Sequence, residues 1–262
     1  MKLSIIVLTH NSQDKIKGCL NSAKNADEII IIDSGSTDNT LKLAKKYTSK
    51  IYSHKLASFA DQRTWGTQKT TSDWFMFLDD DERISKQLFQ EIKDNIRTTS
   101  YSAFRFKRRN YFLGKKISHS GYWPDWQTRL FKKSKFKKIT GASHEQPHFD
   151  GSLGDFKNPI LHLANRSIAA GLLKSYLWTK AEAQAFYKSG HPSITWWRLI
   201  KVMLWEFCFR YFKQQGFKDG YVGFVEAIVQ AINKFFIYQQ IWELQHQERI
   251  NKKYQQLEKQ LL

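Results

Sequence analysis

The chain has 262 residues, with 42 lysines and arginines against 24 aspartates and glutamates and a net charge of +18. That length buries a full core, as one large domain or as a core with an appendage, and needs no covalent staples. Its two cysteines, Cys19 and Cys208, lie far apart and outside CxxC spacing, which excludes a disulfide framework, a zinc site and a redox pair and fits a reducing, cytosolic setting.

At the N-terminus the apolar run 5–8 is too short for a signal-peptide core or a bilayer span, so the chain is not expected to be secreted. The first hundred residues then alternate between two hydrophobic periods. KLSIIVLTH (2–10) reads as a β-branched strand, DKIKGCLNSAK (14–24) as a helix, and DEIIIIDSGS (27–36) as a strand that stops at Asp33. STDNTLKLAKKY (36–47) carries Ser and Thr ahead of a helix, KIYSHK (50–55) suits a third strand, 59–71 a helix and DWFMFLD (73–79) a fourth strand. Strands this continuously apolar belong in a parallel sheet covered on both faces. The expected fold class is therefore α/β, a mostly parallel, Rossmann-like sheet with flanking helices.

Ligands of open α/β sheets bind beyond the carboxyl ends of the strands. The residues there are Thr9, His10 and Asn11, then Asp33, Ser34 and Gly35, and finally Asp79, Asp80 and Asp81 in the run LDDDER. Three consecutive carboxylates after a buried strand repel one another. They suit a cation site, in which Asp79 and Asp81 project the same way from extended chain, or the N-terminus of the helix expected at 85–92, where anions are favoured. Asp33 suits either a nucleobase N–H or simple turn chemistry in DSGSTD.

From 96 to 165 the pattern breaks into shorter mixed segments, 101–112, 120–131, 141–149 and 158–163, expected as irregular sheet and loops closing over the first half. Residues 101–140 hold twelve Lys and Arg against the single acid Asp125, a block suited to nucleic acid, anionic lipid or a phosphorylated substrate. Helical periods follow near 168–188, 193–214 and 221–260. The greasy stretch 194–212 contains Arg198, Lys201, Glu206 and Arg210; such charges are costly at a bilayer centre, so a core or interfacial helix is expected there and not a span.

SIIVLTHNS, EIIIIDSGSTDNT and FLDDDE together resemble the nucleotide-sugar half of the family 2 glycosyltransferases, which have the GT-A fold. This likeness covers about residues 1–95. WQTRLF (126–131), GASHEQP (141–147) and GFKDG (216–220) resemble the bacterial subgroup that adds glucose or a related sugar to the inner core of lipopolysaccharide. The resemblance implies a catalytic domain over 1–165, with a nucleotide-sugar half (1–95) and an acceptor half (96–165), followed by a C-terminal helical extension over 166–262. It implies an inverting, metal-dependent hexosyltransferase, moving glucose from UDP-glucose to a phosphorylated glycolipid or glycan, cytoplasmic and peripheral on the inner face of an anionic membrane. Mg²⁺ or Mn²⁺ is the implied cofactor, with Asp81 as direct ligand; His162, in the apolar strand NPILHL, suits that ion's shell, a diphosphate contact or a satisfied place in the core. Asp79 then lies near the ribose, and Asp80 faces elsewhere. Thr9, Asn11, Asp33, Arg63, Trp126, Arg129 and His144 are the further substrate-binding candidates, Trp126 as a stacking face and Arg129 as a phosphate fork. Thr64 after Arg63 departs from the family's usual Arg-Asn. Glu145, in the HE of GASHEQP, is the candidate general base.

The alternatives are a transferase of another cell-surface polysaccharide using a different donor, a sugar nucleotidylyltransferase, and a basic nucleic-acid binder. THNSQDK offers no glycine-rich phosphate loop for the second. A nucleic-acid surface leaves the strand-end acids without a use, so no nucleic acid is expected as a partner.

Overall fold

A computed structural model of the chain describes residues 1–56, 58–141, 145–164 and 166–261. The chain forms two compact units, one of 1–118 and 122–164, the other of 119–121 and 165–262.

The first unit is built on strands β1 (Leu3–Thr9), β2 (Glu28–Asp33), β3 (Ile51–Ser53) and β4 (Trp74–Asp79), parallel in the order β3-β2-β1-β4. Every residue of β1 is buried, because both faces of the sheet are covered. Leu3, Ile5 and Val7 point to the side taken by α1 (Ile16–Ala23) and α4 (Lys86–Thr98), which present Ile16 and Leu20, and Leu88, Ile92 and Ile96. That i, i+4, i+8 spacing puts the α4 residues on one stripe, and each such burial is worth about 1.5–3 kcal/mol. Ile6 and Leu8 point the other way, with Ile30, Ile32, Phe75 and Phe77, towards Ala60 of α3 (Phe59–Thr67). The short α2 (Thr40–Ala44) connects β2 to β3. Its first turn is held by Asp38, whose carboxylate accepts from the Thr40 N–H at 2.9 Å, a cap one residue later than the expected Ser and Thr.

Most of the segments expected as irregular sheet extend the same sheet, with a register shift between Phe104 and Arg105. After the two-residue β5 (Glu82–Arg83) and α4 come β6 (Ala103–Phe112), β7 (Lys115–Lys116) and β8 (Asp125–Lys132). β8 pairs antiparallel with both β4 and β6. Its sequence neighbours β9 (Phe136–Thr140) and β10 (Gln146–Phe149) form a separate two-stranded sheet, while β11 (Leu153–Asp155) and β12 (Ile160–His162) add to β6 in parallel. β12 also pairs antiparallel with β5, which brings His162 back to the acidic run.

The second unit holds α5 (Ile168–Lys188), α6 (Trp196–Cys208) and the 42-residue α7 (Gly220–Leu261), at the stretches expected to be helical, α7 reaching one residue past its expected stretch at each end. Ile237 and Ile241 of α7 pack with Ala183 and Ile194 in a small core. Gln245 ties α7 to the α5–α6 connection, accepting from the Ile194 N–H at 3.0 Å and donating to the His191 carbonyl at 2.9 Å. Residues 119–121 belong to this unit: the Asp219 carboxylate takes the His119 N–H at 2.8 Å and faces its Nδ1 at 3.0 Å. Residues 216–261 are long and apolar enough to cross a membrane by length and composition, but Ala227, Ala231, Ile237 and Ile241 are buried within the unit.

Candidate active site

The register of the parallel strands sets the site. Thr9 is level with Asp33, and Leu8 with Asp79, so the three strands end on one edge and deliver their polar residues together. Each acid of the 79–82 run has its own partners, which offset part of the repulsion that the sequence poses.

Asp79 lies between two guanidinium groups. Its Oδ1 accepts from Arg63 Nη2 at 2.6 Å and its Oδ2 from Arg129 Nη2 at 2.8 Å. Burial alone would raise this carboxyl; Arg129 and Arg63 reverse the effect and hold it well below the usual carboxylate range. Arg63 reaches the site from α3, whose start is fixed by Ser58 Oγ accepting from the Asp61 N–H. Arg129 comes across the sheet on β8. Both side chains are buried, and the Nε of each has no hydrogen-bond partner among the described residues. Thr64 next to Arg63 takes the Ile139 N–H of β9 at 3.0 Å, so the residue that breaks the expected Arg-Asn pair has a structural use.

Asp80 turns the other way. Ser12 Oγ donates to it in a short contact, Thr9 Oγ1 lies at 3.5 Å and the Lys15 ammonium at 3.5 Å. Burial and the neighbouring Asp81 and Asp79 outweigh Lys15 and Ser12, so its carboxyl is raised. Asp81 faces His162 Nε2 at 3.4 Å. Glu82, a residue the sequence pattern does not single out, is fully buried beneath them; its Oε2 accepts from the Asp79 N–H at 3.0 Å. Its carboxyl is raised by burial first and by Asp79 next. The signal for Glu82 is its place beside three acids on a strand turning back into the core.

The His162 ring is oriented by Asn110, which carries no signal in the sequence. Asn110 Nδ2 donates to the Tyr122 carbonyl and to Asp125 at 3.3 and 3.2 Å, which fixes its Oδ1 as the acceptor of His162 Nδ1–H at 2.6 Å. With Nδ1 engaged by Asn110, Nε2 is the ring nitrogen that faces the Asp81 carboxylate. An imidazole nitrogen and a carboxylate placed face to face can share a cation, and a magnesium-type ion uses only one or two protein carboxylates beside phosphate and water. The donor set therefore fits a divalent ion held by a pair of protein ligands, and no larger His/Cys/Asp/Glu cluster occurs among the described residues.

Arg63 also pairs with Glu145 through Nη1 in a close contact, and Glu145 Oε1 has no partner among the described residues. A cleft of about 140 Å³ opens here, lined by Arg63, Trp126, Thr128, Arg129 and Glu145. His144 lies outside the described residues. Asp33 is buried and accepts from the N–H groups of Gly35 and Ser36, both at 2.9 Å, and from Ser36 Oγ at 2.5 Å. Its carboxylate thereby shapes the turn after β2. Asn11, at φ 45°, accepts from the Thr37 N–H at 2.8 Å and donates its own N–H to Ser36 Oγ at 2.9 Å. It ties the loop after β1 to that turn.

A mostly parallel sheet with this strand order, flanked by helices and carrying an acidic strand end, is a GT-A-type fold. The chain belongs to glycosyl transferase family 2, whose family model matches residues 4–152, and it is a glycosyltransferase. An uncharacterized glycosyltransferase of Rickettsia typhi is 26% identical over 262 aligned residues, covering 95% of this chain and 89% of that protein. The lipopolysaccharide core biosynthesis glycosyltransferase LpsC of Rhizobium meliloti is 24% identical, covering 93% of each. Among solved structures, S. aureus TarS in complex with UDP-GlcNAc aligns with a TM-score of 0.45 at 14% identity, over 95% of this chain and 92% of that one.

Proposed function

We propose that the protein is an inverting hexosyltransferase that moves glucose from UDP-glucose to a phosphorylated glycolipid or glycan such as lipopolysaccharide core, at the inner face of the cytoplasmic membrane. The observation that carries this reading is the pair of arginines, Arg63 and Arg129, that hold Asp79 at the end of β4 and line one cleft with Glu145, which Arg63 also binds.

In this reading Asp33 and Asp79 line the nucleoside, with Thr9, Asn11 and Asp80 shaping the loop around it. Asp81 and His162 hold Mg²⁺ or Mn²⁺. When bound, the ion neutralises charge that develops on the leaving diphosphate, with no proton transfer needed. Arg63 is shared between Asp79 and Glu145, so an arriving diphosphate competes with Glu145 for the guanidinium. Glu145, released, takes the proton of the acceptor hydroxyl as that oxygen attacks the anomeric carbon and the bond to the diphosphate breaks. Trp126 lines the cleft where the acceptor sugar enters, and Arg129 stays on the Asp79 side.

The membrane part rests on α6. Among its side chains and those just after it, Trp196 is 76% exposed and Trp205 63%, and Arg198, Lys201, Arg210 and Lys213 lie beside them. Indoles at headgroup depth with basic neighbours suit an anionic leaflet.

The test is release of nucleoside diphosphate from a panel of nucleotide sugars, with Mg²⁺, with Mn²⁺ and with chelator. UDP-glucose turnover that requires a divalent ion supports the proposal; turnover indifferent to chelator removes its metal part, and a different preferred sugar nucleotide removes its donor.

A further inference from the structure

Outside the cleft, the half-exposed face of the β6–β8 pair carries a repeating arrangement. Arg105, Lys107 and Arg109 alternate along β6, with Phe104, Phe106 and Asn110 turned into the protein. Two indoles interleave with the cations. The Arg105 guanidinium carbon lies 4.4 Å from the Trp126 ring centre, and Lys107 Nζ lies 5.2 Å from the same ring and 5.8 Å from Trp123. Arg109 completes the row at 4.6 Å from Trp123. The order along the sheet is Arg105, Trp126, Lys107, Trp123, Arg109.

Three like charges on alternate positions of one strand repel one another, and a solvated surface has no need to hold them in register. Here the indoles separate the cations and fix their directions. Asp155 pairs with Arg105 at 2.7 Å, which leaves Lys107 and Arg109 as the cations of this row with no carboxylate at ion-pair distance among the described residues; Arg109 Nε is also buried without a hydrogen-bond partner there. Alternate side chains on a strand stand about 7 Å apart, a spacing that phosphate groups on neighbouring sugars of an oligosaccharide span. Trp126, next to the Arg105 end of the row, lines the same cleft as Arg63 and Glu145.

We infer that this row is the acceptor-binding face, and that its ligand is a saccharide carrying phosphate groups one or two sugars away from the reacting hydroxyl. The inference rests on the transferase reading only for the word acceptor; the binding chemistry stands apart from it. Lys107 and Arg109 hold the phosphates and the indole edges meet the sugar rings. The sugar nearest Trp126 enters the cleft, and a long acceptor is thereby set in one direction.

The experiment uses the full chain and two probes, mannopentaose phosphate and unphosphorylated mannopentaose, titrated by calorimetry at low and moderate salt. Wild type should bind the phosphorylated sugar at least tenfold more tightly, with the preference shrinking as salt rises. Lys107→Gln with Arg109→Gln should abolish that preference, whereas Lys107→Arg with Arg109→Lys, which keeps both charges, should retain it. If the double glutamine variant does not fold, Lys107→Gln alone should lower the preference about threefold. Equal binding of the two sugars by wild type, or a preference that survives loss of both charges, overturns the inference. So does displacement of the sugar phosphate by an oligouridylate or by phosphatidylglycerol vesicles at lower concentration, since either would assign the row to RNA or to lipid. UDP release from UDP-glucose is measured on the same preparation: a wild type that prefers the phosphorylated sugar yet releases no UDP removes UDP-glucose as the proposed donor and leaves this face standing.

Discussion

Asp81 and Glu145 face different partners, Asp81 against His162 and Glu145 against Arg63, and their removal should have different kinetic signatures. Asp81→Ala takes away the proposed anionic ligand, so turnover at saturating donor should fall about a thousandfold, in keeping with the several kcal/mol that cation neutralisation supplies. A rate near wild type would remove Asp81 from the metal site. Glu145→Gln keeps shape and loses basicity. Donor KM should hold while transfer drops about 10²–10⁴-fold, and a variant that fails instead to bind donor would make Glu145 a binding residue. The acidic cluster is legible in the sequence as a cluster, because LDDDER closes a buried strand. Which groups neutralise each acid is not. Arg129 reaches Asp79 from 50 residues away, and Asn110 orients His162 from 52 away, pairings that exist only once β8, β6 and β12 lie in one sheet.

Among the elements, α3 connects core packing to the site. Gly66 sits where a Cβ would meet Ile6 Cγ2 at 3.1 Å and Ile32 Cγ1 at 3.2 Å, so this turn of the helix lies directly on the sheet. Arg63 is one turn earlier. Gly66→Leu should therefore lift α3, lowering stability by about 1–3 kcal/mol, measured by urea unfolding, and slowing donor hydrolysis at temperatures where the variant remains folded. Loss of stability with unchanged hydrolysis would uncouple the helix from the site. The helical elements are readable from period alone, as Leu88, Ile92 and Ile96 of α4 illustrate. The segments that form β6 and β8 alternate like strands in the sequence; what it does not show is that β8 pairs with both β4 and β6 and so joins them to the first sheet. The apolar NPILHL stretch reads as the strand that β12 forms, whereas the two-residue β5 gives no pattern, and what creates it is pairing.

For the molecule as a whole, acid and lipid provide the two tests. Near the opposite ends of the strands, Glu28 accepts from Ser4, Thr70 and the Thr71 N–H and pairs closely with Lys50. Burial opposes its charge, but Lys50 and the hydroxyls prevail and lower the carboxyl from 4.5 to about 2. A depressed carboxyl stabilises the fold fully above the unfolded value and loses that contribution as pH falls through the folded one. The stability gap between wild type and Glu28→Gln, about 1–2 kcal/mol after allowing for the exposed Lys50, should thus be complete at neutral pH and close between about pH 4.5 and 2. A gap independent of pH in urea unfolding would deny the linkage. On lipid, the exposed aromatic face of α6 predicts co-flotation with phosphatidylglycerol vesicles that weakens with salt and is reduced by Trp196→Ser with Trp205→Ser. Protein that stays below the vesicles at every salt concentration would remove the membrane from the proposal without touching the chemistry.

The long helix α7 is not protected evenly along its length. At 42 residues it is about 63 Å long, yet its buried positions end at Ile241 and every residue from Asn251 to Leu261 is exposed. An α-helix of about three turns without tertiary cover is marginal in water. The amide hydrogens of 251–261 should then exchange with deuterium orders of magnitude faster than those around Ile237 and Ile241, within one unbroken helix. Trypsin should cut first at Lys252, Lys253 or Lys259, trimming the end of the rod and leaving the helical packing of the second unit in place.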